Sequence, residues 1–185
     1  MSFKSENIDQ LIFQCKLQNS KAQMEVYNRY NKAMYNVAMR IVKDEHFAED
    51  VMQEAFLKAF QKIDTFKGEV AFGAWLKRIV VNYSIDFYKK NSQFNYDDYE
   101  TKIYKLEDNS EDESLDYNQI RVQEVLEAMH KLKESYRMIL NLVLIEGYDL
   151  EEVCEIINIS YANCRTTLSR AKESLRNQLT KKQML

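Results

Sequence analysis

The sequence predicts an all-α protein made of two small helical domains joined by an acidic flexible linker, the C-terminal one a helix-turn-helix. Three observations carry this reading. The 185 residues include no proline and only three glycines, so little interrupts helix propagation. Apolar residues recur at the i, i+3, i+4, i+7 spacing of amphipathic helices through most of the chain. The rhythm lapses over Asn91–Tyr117, where nine acidic residues between Asp97 and Asp116 meet only Lys102 and Lys105, a net charge of −7. Such a segment buries too little apolar surface to offset its ordering, which sets the domains at residues 5–90 and 118–180.

Composition excludes several classes. Hydrophobic residues at 45% and charged residues at 30% are ordinary for a globular protein. No apolar run approaches the ~20 residues of a membrane span, and the start, MSFKSENIDQ, lacks an apolar signal core. A cytoplasmic protein with no membrane insertion is expected. Cys15, Cys154 and Cys164 are scattered and odd in number, which points to a reducing compartment without a disulfide framework. With two histidines, no glycine-rich phosphate loop and no ligand-spaced cluster, no catalytic residue, metal or cofactor is expected. The overall charge of −3 conceals a basic end: Asn158–Leu185 carries a net +5.

Ile8–Gln18 places Ile8, Leu11, Ile12 and Cys15, with Phe13 nearby, on a short amphipathic helix. Asn19-Ser20 is a turn or cap signal before a long helix, Lys21–Val42, with Met24, Tyr27, Met34, Tyr35, Ala38 and Ile41 on or near its core face. Asp44-Glu45-His46 leads into the central stretch, Ala48–Lys90, and His46 is taken as structural. The first helix of that stretch buries Ala48, Val51, Met52, Ala55, Phe56, Ala59, Phe60 and Ile63. Its other face presents Asp50, Gln53, Glu54, Leu57 and Gln61. An outward Leu among carboxylates and amides suits docking of a basic partner.

Gly68 breaks the pattern, and a second helix is expected from about Glu69. Phe72, Trp75, Leu76, Ile79, Tyr83 and Phe87 form its core face, with Val81 and Ile85 turned toward another neighbour. The remaining surface carries Lys77, Arg78, Asn82, Ser84, Tyr88, Lys89 and Lys90. Lys67–Lys90 has a net charge of +3, so a basic, aromatic helix follows an acidic docking helix.

In order, AEDVMQEAFLKAF and FKGEVAFGAWLKRIVVNYSIDFYKK resemble the second conserved region of bacterial sigma factors, and the compact extracytoplasmic-function (ECF) group in particular. The resemblance implies that the first helix docks on the clamp helices of the RNA polymerase β′ subunit. It implies that the second helix and its following loop engage the minus-ten promoter element as it melts. On this chain the docking set is Asp50, Gln53, Glu54, Leu57 and Gln61, and the minus-ten set is Lys77, Arg78, Asn82, Tyr88 and Lys89.

Beyond the linker, Ile120–Leu132 resumes the period at Ile120, Val122, Val125, Leu126, Met129 and Leu132. Ser135–Glu146 follows, burying Tyr136, Ile139, Leu140, Leu142 and Val143, and Gly147 ends it. Asp149 and Glu152 form a capping-box pattern before Leu150–Ile157, whose core side is Leu150, Val153, Cys154 and Ile157. Asn158 tolerates the left-handed conformation a tight turn needs, and Ser160 caps the last helix. That helix turns Cys164, Leu168, Ala171, Leu175 and Leu179 inward. Ala162, Asn163, Thr166, Ser169 and Arg170 lie opposite, with Arg165, Lys172 and Arg176 along one flank. Two short helices, a three-residue turn and a basic outer face make a helix-turn-helix. In such a unit early residues of the second helix reach base edges while flanking cations hold phosphates.

Leu132–Leu179 also resembles the fourth conserved region of ECF sigma factors, which reads the minus-thirty-five element. The resemblance carries Arg165, Thr166, Ser169 and Arg170 over as DNA-facing, and the helical pattern adds Asn163, Lys172 and Arg176. The chain departs from the family at Lys133, where many members have Pro, and at Cys164, where an aliphatic residue is usual. Cys is a small apolar filler, so the fold logic survives. The expected partners are core RNA polymerase, through the β′ clamp helices and the β flap, promoter DNA, and as a candidate an anti-sigma protein. Two rivals remain. A stand-alone helix-turn-helix regulator leaves the Asp50, Gln53 and Glu54 face unexplained. A helical interaction protein without DNA binding predicts no salt-dependent DNA affinity.

Overall fold

A computed structural model of the chain describes residues 7–92 and 117–183. Every element among them is helical: α1 Ile8–Lys16, α2 Ser20–Val42, α3 Glu45–Gln61, a 3-10 turn Ile63–Thr65, α4 Phe72–Ser92, α5 Tyr117–His130, α6 Glu134–Leu140, a π turn Asn141–Ile145, α7 Leu150–Ile157 and α8 Tyr161–Gln183. The chain divides into two compact units between residues 98 and 99. Most of the acidic stretch expected as a linker, residues 93–116, lies outside the described residues, and both its ends are helical, in α4 and α5. No described helix is long and apolar enough to cross a membrane.

In the first unit, local caps set the helix boundaries. The Asn19 side chain accepts from the Lys21 and Ala22 amides at 3.0 and 3.3 Å and starts α2. Lys43, left-handed at φ 62°, ends it. The Asp44 carboxylate accepts from the Phe47 amide at 2.9 Å, so α3 opens at Glu45, ahead of the expected Ala48. α2, α3 and α4 pack on one another, and α1 lays Leu11, Ile12 and Cys15 against α2. Val26, Ile41, Val51, Phe56, Ile63, Leu76, Val80 and Ile85 are sealed in the shared core. Met24, expected at the core, is 59% exposed, and Phe13 is exposed as well.

α4 departs furthest from expectation. It starts at Phe72, after Gly68 takes φ 78°, and Glu69 and Val70 are exposed. Gly73 lets the Tyr30 ring approach, since a Cβ there would meet it at 3.1 Å. The buried stripe runs through Phe72, Leu76, Val80, Val81, Ser84 and Ile85, while Trp75, Ile79, Tyr83 and Phe87 are half-buried. The helix is wedged between α2 and α3, so its most buried line lies between the two faces that sequence pattern separates. Ser84, expected outside, is sealed in and donates to the Val80 carbonyl at 2.7 Å.

In the second unit, α5 buries Ala128 and Met129, with Leu132 just beyond its end, while Val122 is 58% exposed. The single helix expected over Ser135–Glu146 is an α-helix that widens at Asn141, where the Glu146 amide donates to the Asn141 carbonyl at 2.9 Å. Ile139, Leu140 and Leu142 are buried as expected, Tyr136 and Val143 only half. Arg137, Asn141 and Glu146 are buried too, which hydropathy alone does not reveal. Arg137 pairs with Glu134, and burial pushes its guanidinium down to about 10. Gly147, at φ 76°, closes this segment.

Candidate partner and nucleic-acid interfaces

The α3 helix turns Ala48, Val51, Met52, Ala55, Phe56 and Ala59 inward. Its outer side therefore presents Asp50, Gln53, Glu54, Leu57 and Gln61, all exposed, with Leu57 at 55%. Two neighbours were not in the expected set. Lys58 lies on this side with its ammonium 3.8 Å from the centre of the Tyr83 ring of α4. Burial, and then the Glu54 carboxylate, push the Tyr83 phenol upward. The acidic face thus continues onto α4 through Tyr83, which hydropathy had assigned to the core. His46 is exposed and lines an open cleft of about 440 Å³ with Tyr27, Tyr35 and Glu49; no described cluster of His, Cys, Asp or Glu could hold a metal.

The candidate minus-ten set divides in two on α4. Arg78, Asn82 and Lys89 are exposed and fall within about 40° of one another around the axis. Lys77 and Tyr88 lie about 100° to one side and are half-buried. Asp86 is also exposed beside the first stripe, so the stripe is not uniformly basic. Trp75 stands one turn before Arg78 on the same side. Its ring packs 5.4 Å from Phe66 and 5.5 Å from Phe72, and it is half-buried rather than sealed in the core.

In the second unit the helix-turn-helix is built by local bonds. Asp149 accepts from the Glu152 amide at 2.8 Å, and Glu152 accepts from the Asp149 amide at 3.0 Å. Asn158, at φ 57° and ψ 56°, turns the chain out of α7, and the Ser160 hydroxyl oxygen accepts from the Asn163 amide at 3.4 Å. The turn is the expected three residues, Asn158 to Ser160. On α8, Cys164, Ala171 and Leu175 are buried and Leu168 and Leu179 half-buried; on α7, Val153 is buried and Leu150, Cys154 and Ile157 half-buried.

Every residue expected on the outer side of α8 is exposed there. Asn163, Thr166, Ser169 and Arg170 form the front, and Arg165, Lys172 and Arg176 the flank. The Thr166 hydroxyl donates to the Ala162 carbonyl at 2.8 Å, so what it can offer a base is its lone pairs and its methyl group. Glu173, exposed two turns beyond Thr166 on the same line, marks where the front loses its basic character.

The three surfaces lie in two stretches of the chain that match known family models. Residues 26–94 match the family model described as Sigma-70 region 2, and residues 122–175 match Sigma-70, region 4. The ECF RNA polymerase sigma factor SigW of Bacillus subtilis is 32% identical over 184 residues, covering 93% of this chain and 96% of that one. The ECF RNA polymerase sigma factor SigM of the same organism is 29% identical over 153 residues, 82% of this chain and 91% of that one. Among solved structures, the sigma factor RpoE of Bartonella quintana, in complex with the anti-sigma factor NepR, shares the fold with a TM-score of 0.58 at 20% identity, over 85% of this chain and 96% of that one.

Proposed function

The chain belongs to the ECF RNA polymerase sigma factors, which direct transcription initiation at promoters, and we propose that it divides this work among three surfaces of its two units. The outer side of α3, with Asp50, Gln53, Glu54, Leu57 and Gln61, docks on the β′ clamp helices of core polymerase. The exposed stripe of α4, Arg78, Asn82 and Lys89, flanked by Lys77 and Tyr88, engages the minus-ten element. The front of α8 reads the minus-thirty-five element through Asn163, Thr166, Ser169 and Arg170, while Arg165, Lys172 and Arg176 hold phosphates. The domains that do this are 5–90 and 118–180, and the β flap is a further contact of the second.

The observation that carries this reading is the pairing, in one chain, of an exposed acid–amide face around Leu57 with a doubly capped helix-turn-helix whose outer side is basic. A stand-alone regulator has no use for the first surface. A scaffold that binds no DNA has no use for the second. The chemistry of RNA synthesis stays with the polymerase, and this chain supplies the address and helps to open the strands. Flipping a base out of the stack costs a few kcal/mol. Contacts from Lys77, Arg78 and Lys89 to the backbone, and a base held near Asn82, offset that cost. A chain that acts on core polymerase works in the cytoplasm, and an anti-sigma protein that covers any of these surfaces would hold it inactive.

Run-off transcription with core polymerase on a randomised promoter library tests the reading. Transcripts that start at a shared pair of sequence elements are expected only when the chain is added. DNA binding without copurification of core polymerase would favour the stand-alone regulator.

A further inference from the structure

Two of the three cysteines lie on the two helices of the helix-turn-helix. Cys154 lies in α7 and Cys164 in the first turn of α8, on the far side of the three-residue turn. Cys164 is fully buried, Cys154 half-buried, and both thiols are free. The Cys164 sulfur stands 3.9 Å from the Leu150 carbonyl oxygen, the carbonyl that in an α-helix accepts from the amide of residue 154. It therefore lies over the turn of α7 that ends at Cys154. The remaining cysteine, Cys15, is buried in the other unit. An apolar filler explains either residue alone. It does not explain a second thiol on the turn of α7 that the Cys164 sulfur packs over, across the joint that fixes the pose of α8.

We propose that Cys154 and Cys164 form a redox-modification site whose substrate is a hydroperoxide, and that closing it into a disulfide weakens the grip of α8 on promoter DNA. Solvent reaches Cys154, so its thiolate attacks a peroxide oxygen. The O–O bond breaks, the departing oxygen takes up the proton that the Cys154 thiol gave up and leaves as an alcohol or water, and Cys154 becomes a sulfenic acid. The Cys164 sulfur then attacks the Cys154 sulfur. The S–O bond breaks, and the hydroxide takes the Cys164 proton and leaves as water. The two thiols together lose two electrons, and the peroxide gains them. Burial, and then the Cys154 thiol beside it, push the Cys164 thiol up to about 12. That keeps Cys164 protonated and leaves the first encounter with peroxide to Cys154.

A disulfide is about 2.0 Å long, shorter than any contact between separate thiols. Closing it draws the first turn of α8 toward α7, and Cys164 sits between Asn163 and Arg165 on that turn. The DNA consequence rests on the reading of α8 as the promoter-binding helix. Losing one base-edge pairing corresponds to about tenfold weaker binding.

The test uses the full-length chain. After treatment with hydrogen peroxide, peptide mass spectrometry without reductant should find one Cys154–Cys164 cross-link, lighter by two hydrogens and reversed by a dithiol. Cys164→Ala, which keeps a small apolar filler, should leave a sulfenic acid on Cys154 that dimedone traps; Cys154→Ala should abolish both products. Pairing through Cys15, pairing between chains, or no reaction overturns the site. Duplexes selected from a randomised pool by the reduced chain are then titrated with both forms. About tenfold weaker binding by the oxidised chain is expected, with no change for the Cys154→Ala, Cys164→Ala double variant. Equal binding by both forms overturns the inference alone. If the reduced chain selects no duplex, the DNA-binding reading itself fails.

Discussion

Arg170 and Arg176 are both exposed arginines of α8, yet their positions predict different failures. Arg170 follows Thr166 by one turn, about 40° around the axis, at the centre of the front. Arg176 lies six residues further, about 9 Å along the helix and about 120° around it, on the basic flank. A bidentate pair with a guanine edge gives about 1–3 kcal/mol of discrimination, or roughly five- to 150-fold. Arg170→Ala should lose that preference at a single minus-thirty-five position and bind the remaining variants nearly as well. Arg176→Ala should weaken binding to all sequences alike and reduce the slope of log K against log salt by about one. Neither change should move stability by more than about 0.5 kcal/mol, since both side chains are exposed. The assay is a titration of the full-length chain against base-substituted duplexes at several salt concentrations, with circular dichroism as the folding control. Equal, sequence-blind losses for both variants would refute the reasoning and leave Arg170 as a phosphate contact.

Three further outcomes are expected. Reversing Asp50 and Glu54 to Lys should weaken capture of core polymerase while circular dichroism stays native; unchanged capture would remove α3 from the docking surface. Trp75→Ala should cost about 2 kcal/mol in chemical denaturation, below the 3–5 of a sealed aromatic, because the ring is half-buried against Phe66 and Phe72; a variant of native stability that opens promoters poorly would show that the ring works on DNA. Burial raises the Cys15 thiol from 9.0 to about 11, so the folded chain holds that proton where the unfolded chain has released it. The stabilisation is complete below pH 9 and is lost as pH rises toward 11, by up to about 3 kcal/mol. Urea titrations across that range should show the decline, and Cys15→Ala should make it shallower, the raised Cys164 thiol and Tyr83 phenol leaving part of it in place.

What the sequence disclosed well was what neighbouring residues decide among themselves. The capping box of Asp149 and Glu152, the left-handed Asn158 and the Ser160 cap each involve groups no more than three residues apart. No tertiary contact is needed to find them. The front of α8 was legible for a similar reason: it packs by one side only, so its period alone separates Arg170 from Cys164. Helix α4 was not, because α2 and α3 both claim it. Its buried line ran between two expected faces, drew Val80 and Ser84 in, and left Trp75 and Tyr83 at the margin. The minus-ten set, taken from one surface in the sequence, consequently falls into an exposed stripe and a half-buried flank.

The same distinction explains why the thiol pair was missed while each cysteine was noticed. Cys154 and Cys164 lie on different helices, and no helical period relates them. Only the angle at which Asn158 redirects the chain brings one sulfur over the other's turn. The π turn at Asn141 is of this kind as well, since one extra residue per turn leaves no mark on a hydropathy pattern yet carries Asn141 and Glu146 into the interior and Leu144 and Ile145 toward solvent. Local signals thus set which helices form and which side of a singly packed helix is free. Crossing geometry sets which distant side chains meet. In this chain the expected DNA front belongs to the first class, and the site that would regulate it belongs to the second.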